Sequence, residues 1–225
     1  MTRRTEQKAR SHGAIVAAAA GRIRLHGIRD MGVADVMADA GLTHGGFYAH
    51  FKNKDALVAE AIGAGADFYQ TWLAQAAGVA EAERLSTMAQ AYLTREHRDK
   101  PQDGCFFATV GHEVASGSPE HRRALEKLLV STAESMGATL RTGMEQGGVD
   151  RAFAAISLCV GAMTLARAVE SVPLSERLLR AAKVFLSEAD SNVHQLKERE
   201  ERKKLKKLKK KSRKNSDDAS GGKPV

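Results

Sequence analysis

Apolar positions recur every three to four residues along most of the chain, and nowhere do they alternate with a period of two. That pattern predicts helices and no strand. Residues 6–26 form an alanine-rich first helix with Ile15, Ala19 and Ile23 four apart, ended by Gly27. Residues 32–40 make a short second helix, with Val33, Val36 and Met37 facing inward. Residues 54–77 make a long helix carrying Tyr69 and Trp72. Further helices are expected over 81–97, before the polar RDKPQDG stretch, and over 105–116. Ser118, Pro119 and Glu120 supply a cap, a first-position proline and a first-turn acid. The helix they start keeps Leu125, Leu129, Met136, Leu140 and Met144 in one stripe and runs to about Gln146, where Gly147 and Gly148 stop it. Residues 149–170 are apolar nearly all round. A last helix follows Pro173 to about residue 190, with Leu178, Leu179, Ala182, Val184 and Leu186 as its apolar residues. The expected fold is all-α, with about nine helices.

One stretch departs from this regular packing pattern. Residues 41–57 read GLTHGGFYAHFKNKDAL. Gly41 suits the positive φ that ends one helix, and Thr43 suits the N-cap of the next. In the short helix that follows, Phe47 and Phe51 are four apart and share one side. His44, Gly45, Tyr48 and His50 take the other. That is the layout of a helix-turn-helix, with the aromatics inside and the polar face offered to DNA. Asn53 is placed to cap the next helix, with Lys54 in its first turn. A cation there opposes the helix dipole unless a phosphate is bound at the same end.

Gly41, Leu42, Thr43, Gly46, Phe47, Tyr48, His50, Phe51, Lys54, Ala56 and Leu57 together resemble the signature of the TetR family of bacterial transcriptional regulators. The resemblance covers roughly the first quarter of the chain. It implies a three-helix DNA-binding domain over 1–53, with the motif at about 32–51, and a helical ligand-binding and dimerisation domain over 54–192. Gly32 stands where the family usually has a Ser or Thr cap. The expected DNA contacts are Thr43, His44, Gly45, Tyr48, His50 and Lys54, with Tyr48 and His50 resembling the family's phosphate-contact pair. Tyr48 could instead be a packing aromatic, and Lys54 a solvated charge. In the family, the N-terminal arm lies near the DNA backbone or minor groove; here it carries Arg3 and Arg4. The last two helices of the family pair with those of a second subunit, which places the homodimer contact at about 149–190. Two such heads would stand one DNA turn apart on a near-palindromic operator.

Charge adds a second theme. The net charge of +8 lies entirely within residues 197–225, which hold 13 Lys and Arg against 5 Asp and Glu. Glu198–Arg202 and Glu200–Lys204 are favourable helical pairs, so the last helix is expected to reach about residue 200. Beyond it, like charges repel, and the tail over 193–225 is expected to be disordered. It could bind DNA non-specifically, meet an acidic membrane surface, or simply be solvated. The uncharged run 152–166 has 15 residues, short of the ~20 that span a bilayer, so it is expected to be a buried helix. No secretory signal is evident, and the two cysteines, 54 positions apart, suit reduced thiols in a cytoplasm.

Candidate chemistry centres on Cys105. It opens an expected helix, where free N–H groups favour a thiolate, with His112 two turns on along the same face. The segment DGCFFATVGHEVA resembles a subset of TetR-like regulators with a Gly-Cys here; some respond to electrophiles or oxidants through that cysteine, and others bind small acids. A buried packing role is the alternative. Cys159, inside the apolar helix, is assigned to packing. Arg167 interrupts that helix and needs a partner, either a ligand carboxylate or an acid such as Glu170 or Glu113. Trp72, Tyr69, Tyr92, Phe106 and Met163 complete the candidate pocket. No metal-ligand spacing or cofactor motif is present, and no cofactor is expected. The function these observations favour is a ligand- or redox-responsive dimeric repressor, not an enzyme. The alternatives are a cysteine enzyme using Cys105 and His112, or a non-specific DNA binder driven by the tail.

Overall fold

Helix α1 (Arg3–Asp30) buries Ile15, Ala19, Ala20 and Ile23, the face that the four-residue spacing marks. In the computed structural model, which describes residues 3–140 and 148–220, Gly27 kinks this helix instead of ending it. Its φ of 87° and ψ of 172° lie outside the helical region, and only a residue without a Cβ takes them readily. The first basic residues, Arg3 and Arg4, open this helix and are exposed.

Helix α2 (Val33–Asp39) follows, then a tight turn and a 3-10 helix, His44–Ala49. In the turn the Gly41 N–H donates to Ala38 O and the Leu42 N–H to Met37 O, with Gly41 at φ 71°. These two bonds are the Schellman closure of a helix end. Helix α3 (Lys54–Gly63) begins at Asn53, whose Oδ1 accepts the Ala56 N–H at 2.9 Å, as the sequence implies. The single helix expected over 54–77 is two, because α4 (Ala66–Ala74) starts after a break at Ala64 and Gly65. The Phe106 ring fills the space beside Gly65, where a Cβ would lie 2.5 Å from it.

The helix expected over 81–97 is likewise divided. A 3-10 turn, Glu81–Glu83, leads into α5 (Arg84–Tyr92), and α6 (Arg95–Asp99) restarts where Thr94 Oγ1 accepts the His97 N–H at 3.0 Å. A second 3-10 turn, Pro101–Asp103, precedes α7 (Phe106–Ala115). Helix α8 (Pro119–Leu140) opens as predicted, with Ser118 Oγ accepting the His121 N–H at 3.3 Å. The expected end near Gln146, with Met144 and Gly147, lies outside the described residues. Helix α9 (Gly148–Ala168) packs between α8 and α10 (Val172–Ser220). Among the described residues it is the one helix long and apolar enough to cross a bilayer by length and composition. Its Ala152, Ala155, Ile156, Cys159, Ala162, Met163 and Ala166 nevertheless lie in the core.

Ten α-helices and no strand occur among the described residues. The core is continuous, from Ile15 and Phe47 in α1 and the turn helix through Leu128 and Met163. On α10, Leu179, Ala182 and Leu186 are buried. Val184 points outward, 51 % exposed. The helix also continues through 193–220, where charge repulsion was expected to unfold it. Lys, Arg, Glu and Leu are good helix formers, and no Gly or Pro interrupts the chain between 174 and 220. The side chains of Glu198 and Glu200, expected to pair with Arg202 and Lys204, lie outside the described set.

Candidate DNA interface and the buried centre behind it

The turn helix His44–Ala49 divides as its sequence predicts. Phe47 and Phe51 are buried and stacked, with centroids 5.8 Å apart, while Tyr48 is 73 % exposed. Thr43, His44, Gly45 and Ala49 share the open side. The helix is 3-10, not α: the Gly46 N–H bonds to Thr43 O and the His50 N–H to Phe47 O. Two consecutive glycines in six residues disfavour an α-helix, and aromatic packing fixes the segment instead. Thr43 occupies the cap position, but its hydroxyl makes no capping bond, contrary to expectation.

His50 is not on the open side with Tyr48. Its ring is half-buried beside His12 (5.8 Å) and Phe51 (6.5 Å), and its Nδ1 is enclosed without a hydrogen-bond partner. Burial, then the charges of His12 and Lys8, push its pKa below the usual histidine value. His12 itself stacks on Phe51 and pairs with Glu60 at 2.6 Å. Lys54 is neither free nor fully solvated, since its Nζ donates to the backbone oxygen of Arg29 at 3.2 Å.

Behind the head lies a buried polar centre that the sequence only half reveals. Cys105 is the N-cap of α7, as placed, but it is fully buried. Its sulfur lies 3.0 Å from the Tyr69 hydroxyl, and the enclosed Tyr92 hydroxyl also approaches it. Burial pushes the thiol pKa up, against the pull of both hydroxyls, so the expected thiolate does not form at neutral pH. Desolvation outweighs the helix dipole here. His112 is exposed and lines a different cleft, with Leu25, His26 and Glu113, so the structure does not pair it with Cys105. Cys159 is buried, with its pKa pushed up to about 12.

The histidine that serves Cys105 is His97. Its Nε2 accepts the Cys105 N–H at 3.0 Å, and its Nδ1 lies 2.8 Å from Tyr92 O. Both contacts are satisfied only by the neutral ring with its proton on Nδ1. Arg167 donates to His97 O at 2.5 Å, to Arg98 O at 3.2 Å and to Thr109 Oγ1 at 3.4 Å. Its partners are thus carbonyls at the end of α6 and a hydroxyl, not Glu170 or Glu113. Burial is the main cause that lowers the His97 pKa to about 4, with Arg167 adding to it. The unfolded value is near 6.5, so this group's stabilisation is complete above about pH 6.5 and lost as the pH falls toward 4. Between pH 7 and 5 the loss amounts to about 2 kcal/mol. Urea unfolding at both pH values should show that decrement in the wild type and not in His97→Gln.

A cleft of about 880 Å³ opens between α1 and α4. Val16, Ala20, Phe68 and Trp72 form its apolar wall, and Arg24, Asp67, Thr71 and Asp103 its polar one. Trp72, a pocket candidate from sequence, donates its indole N–H to Met88 O at 2.6 Å and turns one edge to the cleft. Arg24 was not foreseen: it donates to Gln102 O at 2.7 Å and lies 4.8 Å above the Phe106 ring.

Apolar side chains stand exposed on the outside of the last two helices. Leu165 on α9 is 54 % exposed, and Phe185 on α10 is 63 % exposed. Leu174 and Ala181 are exposed on the same face of α10 at helical spacing, with Leu178 half-buried between them.

Comparison with known proteins gives these features a family. Residues 15–61 match the model for bacterial regulatory proteins of the tetR family, and residues 82–182 match the tetracyclin repressor-like C-terminal domain. No curated protein matches the sequence significantly. Among solved structures, the reduced form of Escherichia coli NemR aligns at 18 % identity, with a TM-score of 0.66, over 78 % of this chain and 94 % of its own. A TetR regulator from Chloroflexus aurantiacus aligns at 21 % identity, TM-score 0.66, over 81 % and 94 %. One from Cytophaga hutchinsonii aligns at 17 % identity, TM-score 0.67, over 80 % and 95 %. At these identities the structural likeness speaks for the fold, while the two family models cover both head and body: the chain belongs to the TetR family of bacterial transcriptional regulators.

Proposed function

We propose that this protein is a dimeric, ligand-responsive transcriptional repressor. It would bind a near-palindromic operator through Thr43, His44, Gly45, Tyr48 and Lys54, with the basic start of α1, Arg3 and Arg4, beside the phosphates. The observation that carries this reading is the split turn helix, with Phe47 buried and Tyr48 exposed within one turn. Tyr48 and Lys54 serve as phosphate contacts, so Tyr48→Ala and Lys54→Ala should each weaken binding by a similar factor on every operator sequence. Loss confined to one operator in an anisotropy titration would contradict those roles. The helical basic tail adds sequence-independent attraction. Truncation at residue 196 should therefore flatten the salt dependence of binding, and an unchanged slope would refute it.

The effector enters the cleft between α1 and α4. Its volume suits a small organic molecule, and its mixed walls provide both burial and orientation. A ligand there touches α1 directly and so bears on the set of the DNA-binding head. Coupling of about 1–3 kcal/mol is sufficient for induction. A redox reading is kept second, through Cys105, whose sulfur lies 3.0 Å from the Tyr69 hydroxyl; the NemR neighbour is described as a reduced form. Thermal-shift screening with small acids, aldehydes and oxidants on the wild type and Cys105→Ala separates the two. A cleft ligand stabilises both proteins, whereas a redox signal is lost with the thiol.

A further inference from the structure

We propose that Glu113 is a positioning residue for DNA binding, holding the head at the angle from which Lys54 meets a phosphate. The inference rests on the DNA-binding reading above. Three contacts meet at the end of α1. Glu113 Oε2, on α7, accepts the Arg29 backbone N–H at 3.0 Å. The Arg29 carbonyl accepts from Lys54 Nζ, on α3, at 3.2 Å. The Glu113 carboxylate also occupies the space where Gly27 would carry a Cβ, so the kink and the acid fit each other.

Each contact has a physical reason. A helix that resumes after a kink leaves its first N–H groups without partners, and a carboxylate satisfies one of them. The kink requires glycine, because φ 87° is strained for any side chain and the site is already filled. Arg29 is therefore gripped at both ends of its backbone, by the body through Glu113 and by the reading module through Lys54. The opposite end of α7 is anchored in the buried centre. There the Cys105 N–H meets His97, Thr109 Oγ1 accepts from Arg167, and Ala108 O accepts from Thr164. Helix α7 thus joins the polar centre to the residue on which Lys54 rests.

The test uses the full-length protein and a duplex that the wild type enriches from a random-sequence pool. Anisotropy titrations compare Glu113→Ala, Glu113→Asp, Glu113→Gln, Lys54→Ala and the Glu113→Ala/Lys54→Ala pair, each with a thermal melt. Gln keeps an acceptor at the same reach, while Asp keeps the charge but withdraws it by one methylene. Ala and Asp should weaken binding about tenfold, and Gln by no more than about twofold. The pair should bind within about twofold of Lys54→Ala alone, because both substitutions act through Arg29. Equal losses in Gln and Ala, multiplicative losses in the pair, or wild-type affinity in Asp and Ala would overturn the proposal. A wild type that enriches no duplex would instead sink the DNA-binding reading, and this one with it.

Discussion

Phe185→Asp should convert the protein to a monomer and weaken operator binding by at least about 100-fold. Phe185 is 63 % exposed at the end of a face of α10 that also holds the exposed Leu174 and Ala181 and the half-buried Leu178. Leu165 lies exposed on the neighbouring α9. Exposed apolar side chains on two adjacent helices suit an interface between copies. A carboxylate buried there without a partner costs several kcal/mol, enough to dissociate a dimer at working concentrations. The DNA effect then follows from valency, because the second head binds at an effective concentration set by the first, and losing it removes a factor of about 10²–10⁴. Sedimentation analysis gives the mass and anisotropy gives the affinity. A variant that remains dimeric would place the interface elsewhere.

The second large effect is expected at Phe47. Phe47→Ala should destabilise the head by about 3–5 kcal/mol and abolish DNA binding. The ring is buried, stacks on Phe51 and meets Tyr48 edge-on at 5.2 Å. A 3-10 helix holds itself weakly, so this anchor fixes the direction in which Tyr48 and His44 project. Tyr48→Ala removes one contact and should leave the melting temperature nearly unchanged. The contrast between neighbouring residues, measured by thermal melts, separates folding from recognition. Similar melting losses in both variants would mean that Tyr48 packs rather than binds.

The local grammar of the head was legible in sequence. Gly41 needed a positive φ and has it, Asn53 needed an N–H to cap and has one, and Phe47 and Phe51 fell inside by spacing alone. What sequence could not show was set by residues distant along the chain. The break at Gly65 answers to Phe106, and the kink at Gly27 is filled by Glu113. Sequence places His97 only at the end of an expected helix over 81–97, yet tertiary packing turns it inward to meet Cys105. A local helix-dipole argument made Cys105 acidic, and burial from several helices reversed the sign. Arg167 found carbonyls instead of a carboxylate because the end of α6 happened to present them.

The brevity of the His44–Ala49 segment limits how much text it can read. Six residues rising about 2 Å each span about 12 Å, the height of some three to four base pairs. Two subunits would then specify about seven letters, a word that chance repeats roughly once in 16,000 positions. A bacterial chromosome offers hundreds of such words, so the gap between the two half-words must carry much of the address. Inserting or deleting a few base pairs at the dyad should therefore erase a site as thoroughly as scrambling its letters.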